Sequence, residues 1–431
     1  MKKHNVLIFP IGSENGRDIY QSLKYNLHFD VFGISMRNDH ADFFVSNGHL
    51  KISPKFMIKH EDFWDNFLQI LEEWNIQFVV PTHDTVARFL MENQHKIPST
   101  VVCSPLETVK VAEDKFLTYQ LLKDCWYYPR VYSPNENAEF PVFLKPYVSA
   151  GGKGCRKANN VNELEAALHQ NQNLLICEYL PGKEYTVDCF TNSKRELLFA
   201  GARTRERITQ GVTFSSRNVK MTTELRQIAE DLNKRMSFRG AWYFQVKENA
   251  AGDLRFMEFS ARQAGTMAFY RQLGVNFAAL SLFDFLGLPI SIVCNNLDLV
   301  LDRGTETLYH INYEYDTVYL DYDDTLIVDN QVNTTVMQLI YQSINRNIKI
   351  VLLTKHIGDI EESLAYYRLH KSMFDEIVLL DPNDAKADHI KHERAILVDN
   401  YFPERKKVHA ICGIPVFDVD AVECLIDKCS M

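Results

Sequence analysis

Strands alternate with helices at both ends of this chain but not in its middle, and that interruption limits the folds open to it. "NVLIFPIGSENGRDIYQSLK" reads as an apolar strand, a glycine-containing turn and a helix. "DVFGIS" adds a strand, "EDFWDNFLQILEEWN" a helix with apolar residues at i, i+3, i+4 and i+7, and "IQFVVPTHD" another strand. From about residue 316 alternation returns, with strands predicted over 317–321, 348–353, 376–380 and 395–399 and a helix over 332–346. Such alternation implies parallel sheets, whose ligands gather at the carboxyl ends of the strands.

The texture changes at Pro105. "SPLETVKVAEDKFLTYQLLKD" predicts a pair of helices, followed by the strand "PVFLKP", the helix "VNELEAALHQ" and the strand "LLICEYL". "PGKEYTVDCF" and "LLFAGARTR" lead to a strongly periodic helix, "ELRQIAEDLNKRM". "AWYFQVKENAAGDLRFMEFSAR" is patterned as a β-hairpin. A two-residue turn at Ala251-Gly252 would set Gln245 opposite Glu258 and Tyr243 opposite Ser260. The expected organisation is α/β and multidomain: an α/β domain over 1–106, a second over 107–300, and a smaller parallel α/β domain over 315–431.

Composition narrows the partners. A length of 431 residues exceeds one ordinary core, and 46% apolar with 24% charged residues is the balance of a folded globular chain. The formal charge of −9 argues against nucleic acid or an anionic membrane as partner. Nine cysteines are scattered without a CxxC pair, from Cys103 to Cys429, which fits reduced thiols in a cytoplasm rather than a disulfide framework or a zinc site. "MKKHNVLIFPIG" has a strand's length of apolar residues and no cleavage site. In "NFAALSLFDFLGLPISIVC" (276–294), Asp284, Gly287 and Pro289 interrupt the apolar run, predicting a buried helix followed by a strand. A cytoplasmic location is expected, and the sequence leaves the oligomeric state open.

The chemistry-bearing residues of the middle tract come in order. "FLKPYVSAGGKG" sets Lys145 at the end of an apolar strand, before a loop with Gly151, Gly152 and Gly154. Such glycines let backbone N–H groups close on phosphate oxygens while lysine adds a point charge, although no G-x-x-x-x-G-K-[ST] is present and a plain turn is the other reading. Gln245, Lys247, Glu258 and Ser260 would share one face of the hairpin, a grouping of oxygens suited to Mg²⁺ or else a solvated face. "IGSENG" is either a tight turn or a direct ligand contact.

Together with Lys115 in "AEDKFLTY", "EYLPGKEYTVD" and "MEFSARQAGT" followed by "LGVNF", these residues resemble the ATP-grasp superfamily. The likeness runs over about 3–295 and points to carboxylate–amine ligases related to the large subunit of carbamoyl-phosphate synthase. The resemblance implies an ATP-grasp nucleotide clamp in which Lys115 and Lys145 hold ATP phosphates. Glu178, Tyr179 and Leu180 would line the adenine, and Glu184 would contact the ribose. Gln245 and Glu258 would hold Mg²⁺, and Arg262 would face the reacting phosphate. Ser260 stands where the family usually has Asn, and a serine hydroxyl can ligate directly or through water. "ARTRERITQGVT" resembles the arginine-bearing segment near the acceptor site, so Arg203 and Arg207 either bind an anionic substrate or form a solvated charge run.

The last tract opens with "VYLDYDDTLI", an apolar strand running into Asp321, Asp323, Asp324 and Thr325. "DYDDTL" resembles the first motif of the haloacid dehalogenase superfamily, with Thr354 in "VLLTKH", Lys386 in "DAKADHI" and Asp399 in "AILVDNYFPER" matching the later motifs. The resemblance implies Asp321 as nucleophile, Asp323 as general acid and base, Thr354 and Lys386 as phosphoryl-binding groups, and Mg²⁺ held by Asp321, Asp323 and Asp399. No long insertion follows the first motif, so the expected domain is capless. Asn400 stands where many relatives have a second Asp. The domain is then either a phosphatase or a degenerate fold kept for packing or gating.

The expected protein is an ATP-dependent ligase joining a small-molecule carboxylate to an amine, with a fused Mg²⁺-dependent phosphatase. The amine can carry a phosphate ester that the second domain removes after ligation. The alternatives are a ligase with an inert second domain and a nucleotide-binding regulatory protein.

Overall fold

A computed structural model describes residues 3–427, apart from 38, 47, 135, 150, 210, 211, 305–308 and 310. Cys429, Ala150 of the glycine loop and Gln210-Gly211 of the arginine-bearing segment lie outside the described residues. The chain divides into two compact units, Met1–Thr305 and Glu306–Met431.

The first unit begins with a parallel sheet in the order Leu50–Ile52, Phe29–Ser35, His4–Phe9, Phe78–Pro81, Thr100–Val101. Val6, Leu7 and Ile8 are all buried, as in a central strand covered on both faces. The strand order reverses around His4–Phe9, which opens a crevice outside the carboxyl ends of the central strands. A second, antiparallel sheet runs Val131–Tyr132, Leu174–Glu178, Val142–Pro146, Arg156–Ala158.

The third sheet has seven strands. Its central order is Leu197–Thr204, Glu184–Thr191, Gly240–Glu248, Leu254–Ser260. Strand alternation splits these residues between two faces. Val187, Cys189, Trp242, Phe244 and Val246 enter a buried cluster with Leu225, Ile228 and Leu232 of the helix Thr223–Arg235. The other face carries the polar residues.

Two local expectations need correction. The hairpin turn is one residue longer than predicted, with the Asn249 N–H bonded to the Asp253 carbonyl across Ala250-Ala251-Gly252. A bulge then follows, because Val246 pairs with Phe256 whereas Gln245 pairs with Glu258. The extra residue, Met257, offsets the longer turn, so Gln245 and Tyr243 still face Glu258 and Ser260. Residues 276–294 form the helix Phe277–Phe285 but no following strand. Ile290 and Ile292 pack against a core cluster through their side chains alone, without a ladder partner.

The second unit is a parallel five-stranded sheet in the order Glu376–Leu379, Lys349–Thr354, Thr317–Leu320, Ala395–Val398, Val416–Phe417. Val318 and Leu320 join one buried cluster and Tyr319 another, so both faces are covered. A small hairpin, Ile327–Val328 with Gln331–Val332, follows the acidic cluster. Among the described residues no helix is long and apolar enough to cross a membrane.

Candidate functional site

The site in the first unit is built from rows across the third sheet. Directly opposed residues of antiparallel strands share a face. Arg203, Thr186, Gln245 and Glu258 therefore form one polar row, since each is paired with the next. Gly201, Asp188, Tyr243 and Ser260 form the adjoining row. Beyond the first row on its other side, Glu184, Lys247 and Arg255 are paired in turn.

Two lysines from elsewhere reach the end of this face. Asp114 caps the helix Lys115–Leu122 by accepting from the Phe116 and Leu117 N–H groups, which sets Lys115 at the first helical position. Its Nζ lies 3.4 Å from the Glu258 carboxylate and donates to the Ser149 carbonyl at 2.8 Å. Lys145, on the second sheet, donates to the Tyr119 hydroxyl at 3.0 Å and to the Met257 carbonyl at 3.4 Å. Both lysines are buried, and they converge on the bulged residue and its neighbour. Gly151, Gly152 and Gly154 all adopt positive φ, between 62° and 75°, in an exposed loop after Ser149.

Other candidates are placed less openly. Glu178 accepts the Arg130 N–H at 2.8 Å and lies 3.6 Å from Arg255. The Tyr179 ring lies under Lys157, and Leu180 is buried. Glu184 pairs with Arg205 and with Lys247. Arg203 is not a free anion-binding arginine, because its guanidinium is buried in a two-point ion pair with Asp188, at 2.6 and 3.2 Å. Arg207 is exposed and pairs with Asp302. Arg203→Ala leaves the Asp188 carboxylate buried and unpaired, and should lower unfolding stability by about 3–5 kcal/mol, measured by urea denaturation. A double replacement, Arg203→Met with Asp188→Leu, should recover most of that loss.

Asp84 was missed in the sequence. It accepts from the Ser260 hydroxyl and from Arg262 at 2.6 Å, tying the first sheet to the third. Burial opposes its ionisation, but Arg262 and Ser260 outweigh it and hold the carboxyl below its usual range. Burial, helped by Arg262, also pushes the neighbouring His83 down. The available signal was position, for "PTHD" ends the strand Phe78–Pro81 where a parallel sheet gathers its ligands.

Thr186 Oγ1, Arg203 Nη1 and Arg262 Nε are buried donors without a hydrogen-bond partner. Two buried lysines at Met257 and Glu258, with Gln245 paired to Glu258, fit a polyphosphate and its Mg²⁺.

In the second unit Asp321 and Asp399 follow adjacent strands and converge on Lys386, whose Nζ lies 2.6 Å from the former and 2.5 Å from the latter. All three side chains are buried. Burial pushes the Asp321 carboxyl up, and Lys386 opposes this. Thr354 ends the strand on the other side of Asp321, and its Oγ1 is buried without a partner. Asp323 is not gathered with Asp321 and Asp399. It pairs instead with His356 Nδ1 at 3.0 Å, a contact the sequence reading did not include. Among the described residues no group of three or more His, Cys, Asp or Glu side chains is arranged to hold a metal ion.

A family described as "ATP-grasp in the biosynthetic pathway with Ter operon" matches residues 170–301. Solved structures share the architecture. The biotin carboxylase domain of 2-oxoglutarate carboxylase from Hydrogenobacter thermophilus, in complex with MgADP, ADP and bicarbonate, aligns with TM-score 0.58 at 15% identity, over 70% of this chain and 74% of that one. About 70% of the chain therefore shares the fold of this structure, and residues 170–301 are similar to an ATP-grasp family. The N5-carboxyaminoimidazole synthetase of Staphylococcus aureus aligns with TM-score 0.54 at 12% identity, over 68% of this chain and 79% of that one. The L-amino acid ligase of Bacillus licheniformis aligns with TM-score 0.51 at 15% identity, over 65% and 73%. No curated protein matches the chain.

Proposed function

We propose that the first unit is an ATP-dependent carboxylate–amine ligase. The observation that carries this reading is the convergence of Lys115 and Lys145, from separate elements, on Met257 and Glu258. Two buried ammonium groups beside a carboxylate–amide pair suit a triphosphate whose charge must be neutralised. In the proposed reaction a substrate carboxylate attacks the γ-phosphorus to give an acylphosphate, and an amine then displaces phosphate to leave an amide. This needs no protein nucleophile. Catalysis consists of positioning and charge neutralisation by lysine and arginine. Gln245 and Glu258 would hold Mg²⁺, which supplies further neutralisation of the phosphates, and Ser260 is engaged by Asp84. The test is a screen of carboxylate and amine pairs for ADP release, with mass spectrometry of the product.

Glu258→Gln removes one charge and keeps the shape. ADP release should fall to background at Mg²⁺ concentrations that saturate the parent, while the melting temperature stays close to the parent's. Normal turnover of this variant at low Mg²⁺ would reduce Gln245 and Glu258 to a polar surface.

For the second unit we propose a phosphatase of the haloacid dehalogenase type. The Lys386 bridge between Asp321 and Asp399 and the orphaned Thr354 hydroxyl support it, as they suit a phosphoryl group at the floor of the site. Asp321 would attack phosphorus, and Asp323, in contact with His356, would protonate the leaving oxygen. Joining both sites in one chain holds an intermediate at roughly millimolar effective concentration, which favours ligation of a phosphorylated amine followed by removal of the ester.

A further inference from the structure

Asp321 of the second unit follows Thr317–Leu320, and the strands on either side, Lys349–Thr354 and Ala395–Val398, run parallel to that strand. The segments after all three strands therefore emerge at one edge of the sheet, where a parallel sheet gathers its ligands. After Thr354 comes Ile357, 89% exposed, and after Val398 come Tyr401 and Phe402, 58% and 63% exposed. Exposed apolar side chains are ordinary when they stand singly. Here three come from two segments that flank one buried carboxylate.

Both segments are tied to the candidate site. Ile357 directly follows His356, whose Nδ1 lies 3.0 Å from the Asp323 carboxylate. The Tyr401 N–H donates to Asp399 Oδ1 at 2.7 Å. Arg405 lies 5.7 Å from the centre of the Phe402 ring and donates to the Asp399 and Asn400 carbonyls at 2.7 and 2.8 Å, which keeps that ring beside the loop. The neighbouring cations are already engaged. Lys355 pairs with Glu404 at 2.7 Å, Arg405 with Asp418 at 2.5 Å, and Lys386 with Asp321 and Asp399. Asp324, exposed next to Asp323, would repel a second anionic group on a ligand.

We propose that the second unit acts on phosphate monoesters whose alcohol carries an uncharged, aromatic or branched aliphatic body, and that this body rests on Ile357, Tyr401 and Phe402. The assignment rests on the phosphatase reading. In that reading Asp321 bonds to phosphorus as the ester P–O bond breaks, the alcohol oxygen leaves with the Asp323 proton, and water then frees inorganic phosphate and restores Asp321. The departing alcohol must lie beside Asp323, hence on the side that His356 and Ile357 occupy. Removing apolar surface from water supplies the binding energy. A sugar-like body would set hydroxyls against side chains that cannot hydrogen-bond them.

The test uses the full chain with Mg²⁺ and three esters of primary alcohols: 3-phenylpropyl phosphate, ethyl phosphate and glucose 6-phosphate. Their leaving groups are alike, so kcat/KM reads the body rather than the ease of departure. The phenylpropyl ester should exceed the other two about ten- to a hundredfold. Ile357→Ser with Phe402→Ser, both at exposed positions, should bring the three close to equal, whereas Ile357→Leu with Phe402→Leu should keep the preference. Titration calorimetry with 3-phenylpropylphosphonate and ethylphosphonate, which are not hydrolysed, should give the same order of affinity without turnover. Equal rates for the three esters, a preference for glucose 6-phosphate, or a preference that the serine pair leaves intact overturns the proposal. If no ester is hydrolysed but the phenylpropylphosphonate binds more tightly and the serine pair removes the difference, the apolar surface stands and the phosphatase reading falls. With neither hydrolysis nor a phosphonate preference, both fall.

Discussion

Lys145→Ala protein should bind ATP about ten- to a hundredfold more weakly than the parent, with a matching fall in ADP release at limiting ATP, because each charge-assisted contact contributes ~1.5–3 kcal/mol. Lys145 is buried on the second sheet and reaches across to the Met257 carbonyl and the Tyr119 hydroxyl. Removing it deletes a cation where few neighbours can substitute, since Lys115 is already engaged with Glu258 and Ser149. Burial also holds Tyr119 in its neutral form, its phenol pushed far above the usual range. Isothermal titration with ATP in the presence of Mg²⁺ measures the effect. Unchanged affinity in a folded variant would remove Lys145 from the phosphate site.

Asp321→Asn should abolish hydrolysis of an aryl phosphate by the second unit and leave ADP release by the first near its parent rate. The side chain is buried against Lys386 and is nearly isosteric with asparagine, so the sheet is expected to survive. If ligation precedes dephosphorylation, this variant should also accumulate a phosphorylated amide, heavier than the final product by one HPO₃ unit. The same unphosphorylated amide from the variant would reverse the proposed order. Loss of both activities with intact secondary structure would mean that the boundary between the two domains lies elsewhere than expected. A parent protein that hydrolyses no phosphate with any metal would leave the second unit as a fold kept for packing or gating.

Much of the architecture was legible because it is written in local periods. The near-continuous apolar strand "NVLIF", the 3.6-residue pattern of "ELRQIAEDLNKRM" and the alternation of "WYFQV" are each set by which neighbours a residue must face. The pairing of Gln245 with Glu258 came out as expected, although the expected turn was one residue too short. A bulge is a local insertion without a compositional mark, so only the paired strands reveal that Met257 takes up the difference. The predicted strand after Phe285 failed for a related reason, because apolar residues such as Ile290 can pack without finding an edge to pair with.

The sequence by itself determined most of the central strands and the periodic helices, that two runs of alternation flank a middle of different texture, and that lysines and carboxylates end several of the strands. Only the tertiary structure decided which of those charges meet. Arg203 looked available and is consumed by Asp188, fifteen residues away on the paired strand. Asp84 looked like the end of a strand and is held by Ser260 and Arg262, each more than 170 residues further along the chain. Side-chain direction repeats every two or 3.6 residues, so a short stretch of chain specifies it. The partner of a buried charge depends instead on how distant elements pack and in what register, and no local pattern encodes that.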